Sequence, residues 1–126
     1  MYNLIIGYNN LSINLIKSII AKGGVVFLID DKEPEEILLK NKFLYYYKVD
    51  ISNMKQVIEK ASKAMLLKVY VVTNDDYLNL MIEEALSSLN NVQVIYNFKA
   101  FEKVSCGGNN NFYLEDSINS FIKVVS

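Results

Sequence analysis

The stretch that decides the fold is YNLIIGYNNLS, residues 2–12, at the start of the chain. An apolar run ends at Gly7, a polar turn follows, and residues 11–20 then place leucine and isoleucine at helical spacing. A strand, a tight turn and a helix in this order are typical of a dinucleotide-binding motif, whose fingerprint is G-x-G-x-x-G. Its three glycine positions here hold Gly7, Asn9 and Ser12, so the fingerprint is partial.

Each of these three positions has its own role in a dinucleotide-binding turn. Gly7 either lets the backbone bend under a phosphate or is an ordinary glycine between a strand and a helix. Asn9 stands where a second glycine lets the pyrophosphate approach the backbone, and its side chain would crowd that approach. Ser12 replaces the glycine that allows close helix–strand packing, and a small side chain makes this change less costly. Free amides at the helix start still favour an anion.

The rest of the chain alternates apolar, strand-like runs with segments of helical periodicity. We expect Pro34 to begin the second helix, Ser52 to cap the third, and Asp75 and Asp76 to lie in the first turn of the fourth, over residues 75–90. Alternation of this kind predicts an α/β fold, a Rossmann-like doubly wound sheet with helices on both faces. The sheet is expected to be mainly parallel, with about six strands at YNLIIG, VVFLID, FLYYYKV, KVYVVT, VQVIYN and NNFYL.

We expect one domain over residues 1–126, because no linker, repeat or low-complexity segment divides the chain. A short helix is predicted over residues 99–105. Residues 110–126 are predicted to form the last strand and an amphipathic terminal helix, which is a candidate part of an assembly interface.

The composition excludes several classes of function. The chain has 126 residues, a net charge of −1, and no histidine, arginine or tryptophan. It therefore lacks an imidazole base, a Ser–His nucleophile, the usual zinc or iron ligands and a guanidinium clamp for phosphate. The single cysteine, Cys106, excludes an internal disulfide and a cysteine-based metal cluster. We expect no enzymatic activity, no catalytic or metal-binding residues and no binding to nucleic acid.

The same data predict a cytoplasmic protein. No apolar run approaches the roughly 20 residues of a membrane-spanning helix, so direct membrane insertion is not expected. Met1 leads directly into a strand, which indicates that there is no signal peptide.

Doubly wound sheets bind ligands at the carboxyl ends of their strands, where the strand order reverses. Asp30 ends the second strand about 20 residues beyond the glycine turn, where an acidic residue accepts hydrogen bonds from ribose and repels a 2′-phosphate. A solvated aspartate at a strand end is the alternative. The predicted ligand-contacting residues are Gly7, Tyr8, Asn9, Asn10, Leu11, Asp30, Asp31, Asp50, Ile51, Thr73, Asn74 and Asn97.

Several of these polar residues also have plain structural interpretations. Asp50 either lines the adenine side of the crevice or precedes the start of the third helix. Thr73 and Asn74 either reach a ligand or cap the long helix. The tyrosines at 45–47 are interpreted as strand packing, because a platform for stacking bases would carry more basic neighbours than Lys48.

Over residues 3–122 the chain resembles the N-terminal lobe of the RCK or KTN domain, the Trk-type NAD-binding regulatory domain of potassium channels and transporters. The segment VYVVTNDDYLNLMIEEAL is similar to that family's T-x-D-D-x-x-N start of the fourth helix, and Asn79 matches the last position. The opening segment through IDDKEPE resembles the family's strand, glycine turn, helix and acidic second strand, and YYKVDISNMKQVIEKA and VQVIYNFKAFEKV are similar to later segments.

The resemblance implies that NAD, NADH or another adenine nucleotide contacts Gly7, Asn9, Asp30, Asp50 and Thr73. It also implies a homodimer or larger homo-oligomer and a partner that is the membrane subunit of a potassium channel or transporter. Because no pore segment follows in this chain, that partner would be a separate chain. It would hold this domain at the inner face of the membrane.

The departures from the family pattern fall on phosphate binding. Asn9 and Ser12 replace glycines, and Asn97 stands where the fifth strand of the family often ends in arginine. Two alternatives therefore stay open. One is a degenerate Rossmann scaffold that keeps its assembly surface and binds no cofactor at all. The other is a small oxidoreductase, although neither a substrate region nor an acid or base for hydride transfer is evident.

Overall fold

The computed structural model describes residues 2–99 and 111–113 of the chain. In this part, strands alternate with helices as the sequence predicts. The elements in chain order are β1 (Tyr2–Ile6), α1 (Asn10–Ala21), β2 (Val25–Asp30), α2 (Glu36–Leu39), β3 (Leu44–Lys48), α3 (Met54–Ala61), β4 (Leu67–Val71), α4 (Asp76–Leu86), β5 (Val92–Lys99) and β6 (Asn111–Tyr113).

The strands form one sheet in the order β3-β2-β1-β4-β5-β6, and every neighbouring pair is parallel. Five strands are of ordinary length, and the sixth has 3 residues. The predicted doubly wound α/β fold is confirmed. From β1 the chain winds outward through β2 to β3, then crosses to β4 on the other side of β1. The carboxyl ends of β1 and β4 therefore form the point where the strand order reverses, which is where such sheets bind ligands.

A buried apolar cluster covers each face of the sheet. Because successive side chains of a strand point to opposite faces, Ile5 of β1 joins the first cluster while Ile6 joins the second. The helix residues that complete the first cluster are Leu15, Ile16 and Ile19 of α1. Those that complete the second are Val57 and Ala61 of α3 and Ile82 and Leu86 of α4. The two faces hold the strand ends, and thus the crevice, in place.

The starts of two helices differ from the sequence-based expectation. The second helix does not begin at Pro34, because Glu35 is extended with ψ 149° and only Glu36–Leu39 is helical. The third helix is capped by Asn53, whose side chain accepts from the Gln56 amide, and not by Ser52. The Ser52 hydroxyl donates instead to the Asp50 carboxylate at 2.6 Å, a stronger acceptor close by in sequence.

The fourth helix is shorter than predicted. It spans Asp76–Leu86, and Asp75 lies outside it as the N-cap residue. The Asp75 side chain accepts hydrogen bonds from two amides of the first turn, so of the two aspartates only Asp76 belongs to that turn.

The edge strand β3 is not fully buried on both faces. Tyr45 and Tyr47 are 47% and 40% exposed and pack against the Phe27 ring, with centroid distances of 5.5 and 6.3 Å. Tyr46 points to the opposite face and donates its hydroxyl to the Asp30 carbonyl at 3.0 Å. These ring contacts are those of strand packing, and Tyr47 is also in contact with Lys60 of α3, whose Nζ lies 5.0 Å from the ring centroid.

Some predictions lie outside the described residues. These predictions are the helix over 99–105, the interpretation of the cysteine at 106, and the terminal helix. Lys99 alone of the first of these is described, and it lies in β5. In residues 2–99 and 111–113, no helix combines the length and the apolar character that crossing a membrane requires.

Candidate functional site

A cavity of about 310 Å³ opens at the carboxyl ends of the central strands. Its volume lies at the small end of the range for small-molecule sites, roughly 300–1,000 Å³. We call it the crevice. Its described lining residues are Gly7, Tyr8, Asn9, Asp30, Asp31, Lys32, Ile51, Thr73, Asn74, Asp75 and Leu78.

Gly7 is required by the backbone itself. Its φ is +109°, a conformation that favours glycine, and a Cβ at this position would lie 3.1 Å from the Thr73 backbone nitrogen. The turn after β1 therefore passes directly against the end of β4. This contact explains the glycine without any ligand.

Asn9 caps α1 and uses its side chain fully. Its Oδ1 accepts from the Leu11 amide at 3.0 Å and from the Ser12 amide at 3.1 Å. Its Nδ2 donates to the Val72 carbonyl at 2.7 Å, which ties the cap to the end of β4. The Ser12 hydroxyl accepts from the Asn9 amide at 2.7 Å, which completes a reciprocal capping box. Asn9 thus occupies the amides at the start of the helix rather than only crowding the space above them.

Asp30 joins the end of β2 to the glycine turn. The residue is only 5% exposed, and its Oδ2 accepts from the Tyr8 amide at 2.6 Å. Its Oδ1 accepts from the amides of Asp31 at 2.6 Å and Lys32 at 3.3 Å. Burial, followed by the hydrogen bond with the Asp31 side chain, raises the Asp30 pKa above 3.8, against the lowering effect of the three amides. The exposed Asp31 has a lowered pKa, chiefly through its side-chain hydrogen bond with Asp30.

The T-x-D-D-x-x-N stretch forms a buried hydrogen-bond network. Asn79 accepts from the Thr73 amide at 3.1 Å and from the Thr73 hydroxyl, and it donates to the carbonyls of Thr73 at 3.1 Å and Phe98 at 2.9 Å. Asp75 caps α4 by accepting from the amides of Tyr77 and Leu78. The described contacts of Asn79 therefore join α4 to the ends of β4 and β5, whereas those of the Asp75 carboxylate fix the first turn of α4.

Four predicted residues do not line the crevice in the described part of the chain. Asn10 is exposed in the first turn of α1, and Leu11 packs against the first apolar cluster. Asp50 binds Ser52 through its carboxylate. Asn97 is 1% exposed and donates to the Glu83 carboxylate at 2.7 Å and the Asn79 carbonyl at 3.3 Å. Ligand contact remains a prediction for every predicted residue, including the eight that do line it.

Sequence reasoning missed three lining residues, Lys32, Asp75 and Leu78. Asp75 and Leu78 lie at the start of α4, directly after the strand end marked by Thr73 and Asn74, so the sequence carries a signal for them. Lys32 lies two residues after Asp30, in the bend that follows β2. No motif marks this lysine in advance, because its place depends on the path of that bend.

With this geometry established, comparison with known proteins identifies the family. The model of the TrkA-N domain matches residues 3–104. The chain belongs to the TrkA-N family. No curated protein matches its sequence. The fold described above is therefore that of a TrkA-N domain.

Solved structures similar to this TrkA-N domain include an RCK domain and several enzymes. The GsuK RCK domain has a TM-score of 0.60 and 13% identity over 89% of this chain and 25% of its own. The UDP-glucose 4-epimerase of Thermus thermophilus, in complex with NAD, has a TM-score of 0.63 and 12% identity, and the match covers 98% of this chain and 50% of the epimerase chain. A short-chain dehydrogenase/reductase from Veillonella parvula, in complex with NADP, has a TM-score of 0.60 and 13% identity, and the match covers 77% of this chain and 46% of the enzyme chain.

These identities show the shared Rossmann-like fold and nothing finer. The TrkA-N domain spans about half the length of the two enzyme chains and a quarter of the GsuK chain. Because unrelated functions share this fold, the function has to be argued from the crevice.

Proposed function

We propose that this TrkA-N domain is a regulatory module of potassium transport that binds an adenine nucleotide, such as NAD or NADH, in the crevice. One observation carries the proposal. The Asp30 carboxylate lies in the crevice wall beside the glycine turn, held by the amides of Tyr8, Asp31 and Lys32. A carboxylate at this point of a doubly wound sheet accepts hydrogen bonds from the ribose hydroxyls of adenosine.

The regulated partner is proposed to be a separate pore-forming chain, the membrane subunit of a potassium channel or transporter. Membership of the TrkA-N family supports this partner class. The bound nucleotide would shift the domain between two states that the pore distinguishes, with a coupling free energy of about 1–3 kcal/mol. This proposal places the domain in the cytoplasm, at the inner face of the membrane.

The proposed role includes no catalytic step. The chain has no histidine, and the ionisable side chains among the described lining residues are Tyr8, Lys32 and three aspartates. The similar dehydrogenase/reductase shares only the fold, so an oxidoreductase remains the competing interpretation. Incubation with NADH and a panel of carbonyl compounds tests it. Turnover above that of an Asp30→Asn variant would contradict the regulatory proposal.

A homo-oligomer is part of the proposal, and α4 offers a surface for it. Tyr77, Leu80 and Met81 are 81%, 47% and 48% exposed and lie at i, i+3 and i+4 along one side of the helix. Sedimentation should show a dimer or larger species that Leu80→Gln weakens. Ile37→Gln, which changes a 77% exposed side chain on α2, is the matched control. A nucleotide-independent dimer without any nucleotide binding would favour the scaffold alternative.

Thermal unfolding tests nucleotide binding directly. NAD, NADH, ATP, ADP, AMP and adenosine are each added, and a ligand present at about 100 times its Kd raises the free energy of unfolding by about 2.7 kcal/mol. Asp30→Asn should abolish the increase. The control Glu36→Gln, at an exposed carboxylate of α2, should retain it. If none of these compounds at millimolar concentration raises the melting temperature, the binding proposal fails.

A further inference from the structure

We infer that the crevice recognises the nucleoside part of its ligand and gains no affinity from the phosphates. This inference rests on the proposed function, because it concerns the same crevice. It predicts that affinity does not increase along the series adenosine, AMP, ADP and NAD.

The first observation is that the backbone amides of the glycine turn already donate hydrogen bonds to acceptors within the protein. Those of Gly7, Tyr8 and Asn9 donate to the Ile29 carbonyl, the Asp30 carboxylate and the Ser12 hydroxyl. The first-turn amides of Leu11 and Ser12 donate to the Asn9 side chain. A pyrophosphate at this turn would normally be bound by such amides, so here it would have to displace an existing acceptor.

The Asn9 side chain is fixed from both ends, which makes that displacement costly. While its Oδ1 accepts from the helix, its Nδ2 donates to the Val72 carbonyl at 2.7 Å and lies 3.4 Å from Asn74 Oδ1. Turning the side chain away would break the cap and the bond to the end of β4 together. An incoming phosphate therefore competes with the protein acceptors of the Asn9, Leu11 and Ser12 amides as well as with water.

At the start of α4, the other helix that begins at the crevice, amides of the first turn are likewise bonded to a capping side chain. The Asp75 carboxylate accepts from the amides of Tyr77 at 3.0 Å and Leu78 at 3.2 Å. Asp75 and Leu78 both line the crevice. This cap adds a negative charge where the helix would otherwise offer an anion its partial positive charge.

The charges of the residues that line the crevice also disfavour phosphate binding. Its described lining includes the carboxylates of Asp30, Asp31 and Asp75, and Lys32 is its one ammonium group. The chain contains no arginine that could bind a phosphate in bidentate fashion. Each added phosphate thus brings negative charge towards a wall that is already negative, whereas the uncharged ribose still finds the Asp30 carboxylate.

The test is a set of Kd values from isothermal titration of the wild-type chain with adenosine, AMP, ADP and NAD. We expect the three phosphate-containing ligands to bind no more than about threefold tighter than adenosine. If ADP or NAD binds more than threefold tighter, the inference is overturned and the proposed function stands. If none of the four binds, the inference fails; if NADH and ATP do not bind either, the proposed function fails as well.

A gain-of-function variant makes the test independent of absolute affinities. Asn9→Gly should fold, because glycine at an N-cap costs only a few tenths of a kcal/mol and the extended backbone of Asn9 suits any residue. It leaves the amides of Leu11 and Ser12 without their acceptor, so the affinity for ADP and for NAD, each divided by the affinity of the same variant for adenosine, should rise about tenfold relative to wild type. The matched control is Asn53→Gly, which removes the same kind of asparagine cap from α3, outside the described lining of the crevice, and should leave these ratios unchanged.

The gain should also depend on salt. In Asn9→Gly the additional affinity for ADP should weaken as ionic strength rises, whereas adenosine binding should be insensitive to it. If a correctly folded Asn9→Gly chain binds ADP no better than wild type does, the Asn9 cap does not exclude phosphate, and the inference is wrong.

Discussion

Replacing Asn79 with alanine should destabilise the domain severely, although Asn79 is not among the described residues that line the crevice. The side chain is 0% exposed and exchanges hydrogen bonds with the amide, hydroxyl and carbonyl of Thr73 and with the Phe98 carbonyl. It is the point at which α4 is bonded to the ends of both β4 and β5. Asn79→Ala removes all of these bonds at once and leaves a cavity.

The magnitude follows from the groups left behind. The Thr73 amide and the Asn79-facing Thr73 carbonyl are buried, and each buried polar group that loses its partner costs about 1–3 kcal/mol. The Thr73 hydroxyl is spared, since the Asp75 carbonyl lies 3.1 Å from it. With a modest contribution from the cavity, we expect a loss of about 3–5 kcal/mol. That is a large part of the roughly 5–15 kcal/mol that stabilises a domain.

Urea unfolding followed by circular dichroism measures this loss, and two variants frame it. Asn74→Ala deletes the same side chain from the exposed turn nearby and should cost less than about 0.5 kcal/mol. Asn79→Asp keeps the shape but points an acceptor at the carbonyls of Thr73 and Phe98, so it should be at least as damaging as alanine. An Asn79→Ala loss below about 1 kcal/mol, the low end for one orphaned buried group, would refute the structural role that we assign to this motif.

Three further outcomes are expected. Gly7→Ala should lower the free energy of unfolding by about 2–3 kcal/mol, and Gly23→Ala should lower it by about 1 kcal/mol. Both residues have positive φ, but only at Gly7 would a Cβ lie against Thr73. Equal losses in urea titrations would contradict this contact. Asn9→Ala should cost about 1 kcal/mol through loss of the helix cap, and a melting temperature identical to wild type would argue against the cap. Because its pKa is raised in the folded state, Asp30 should contribute a free energy of unfolding that falls as pH rises from 3.8 towards that raised pKa. The wild-type minus Asp30→Asn difference, measured across this range, checks the sign, and a rise with pH would contradict it.

The architecture could be predicted from the sequence because its signals are repeated. Apolar runs and helical periodicity alternate along the chain, and a missed boundary in one segment does not change the fold class. The boundaries were less predictable where two capping residues competed. Ser52 and Asn53 are both good caps, and the choice between them depends on the position of the Asp50 carboxylate, which is a property of the folded loop.

The crevice was predictable as a place but not as a set of contacts. Asn97 would reach the crevice if the fifth strand ended at this residue, yet β5 continues to Lys99 and leaves Asn97 within the strand, bonded to Glu83 of α4. At a glycine position of the fingerprint, Asn9 is conspicuous for the size of its side chain. Its spacing from Ser12 also fits a capping box, which the sequence contained and which the dinucleotide fingerprint obscured.

The same residues therefore satisfy two different explanations, and only one of them requires a ligand. Gly7 is needed so that the turn can pass Thr73, and Asn79 is needed to join α4 to the two neighbouring strands. Both requirements hold whether or not a nucleotide binds. A family pattern that includes these two residues therefore indicates the fold and does not by itself indicate a ligand. Phosphate binding depends instead on amides that remain free, and in this chain Asn9 and Asp75 each occupy two amides in the first turn of a helix at the crevice. The backbone geometry of a Rossmann-like turn and its phosphate site are thus separate requirements, because Gly7 shapes the turn whereas most of the amides that would bind a phosphate belong to other residues.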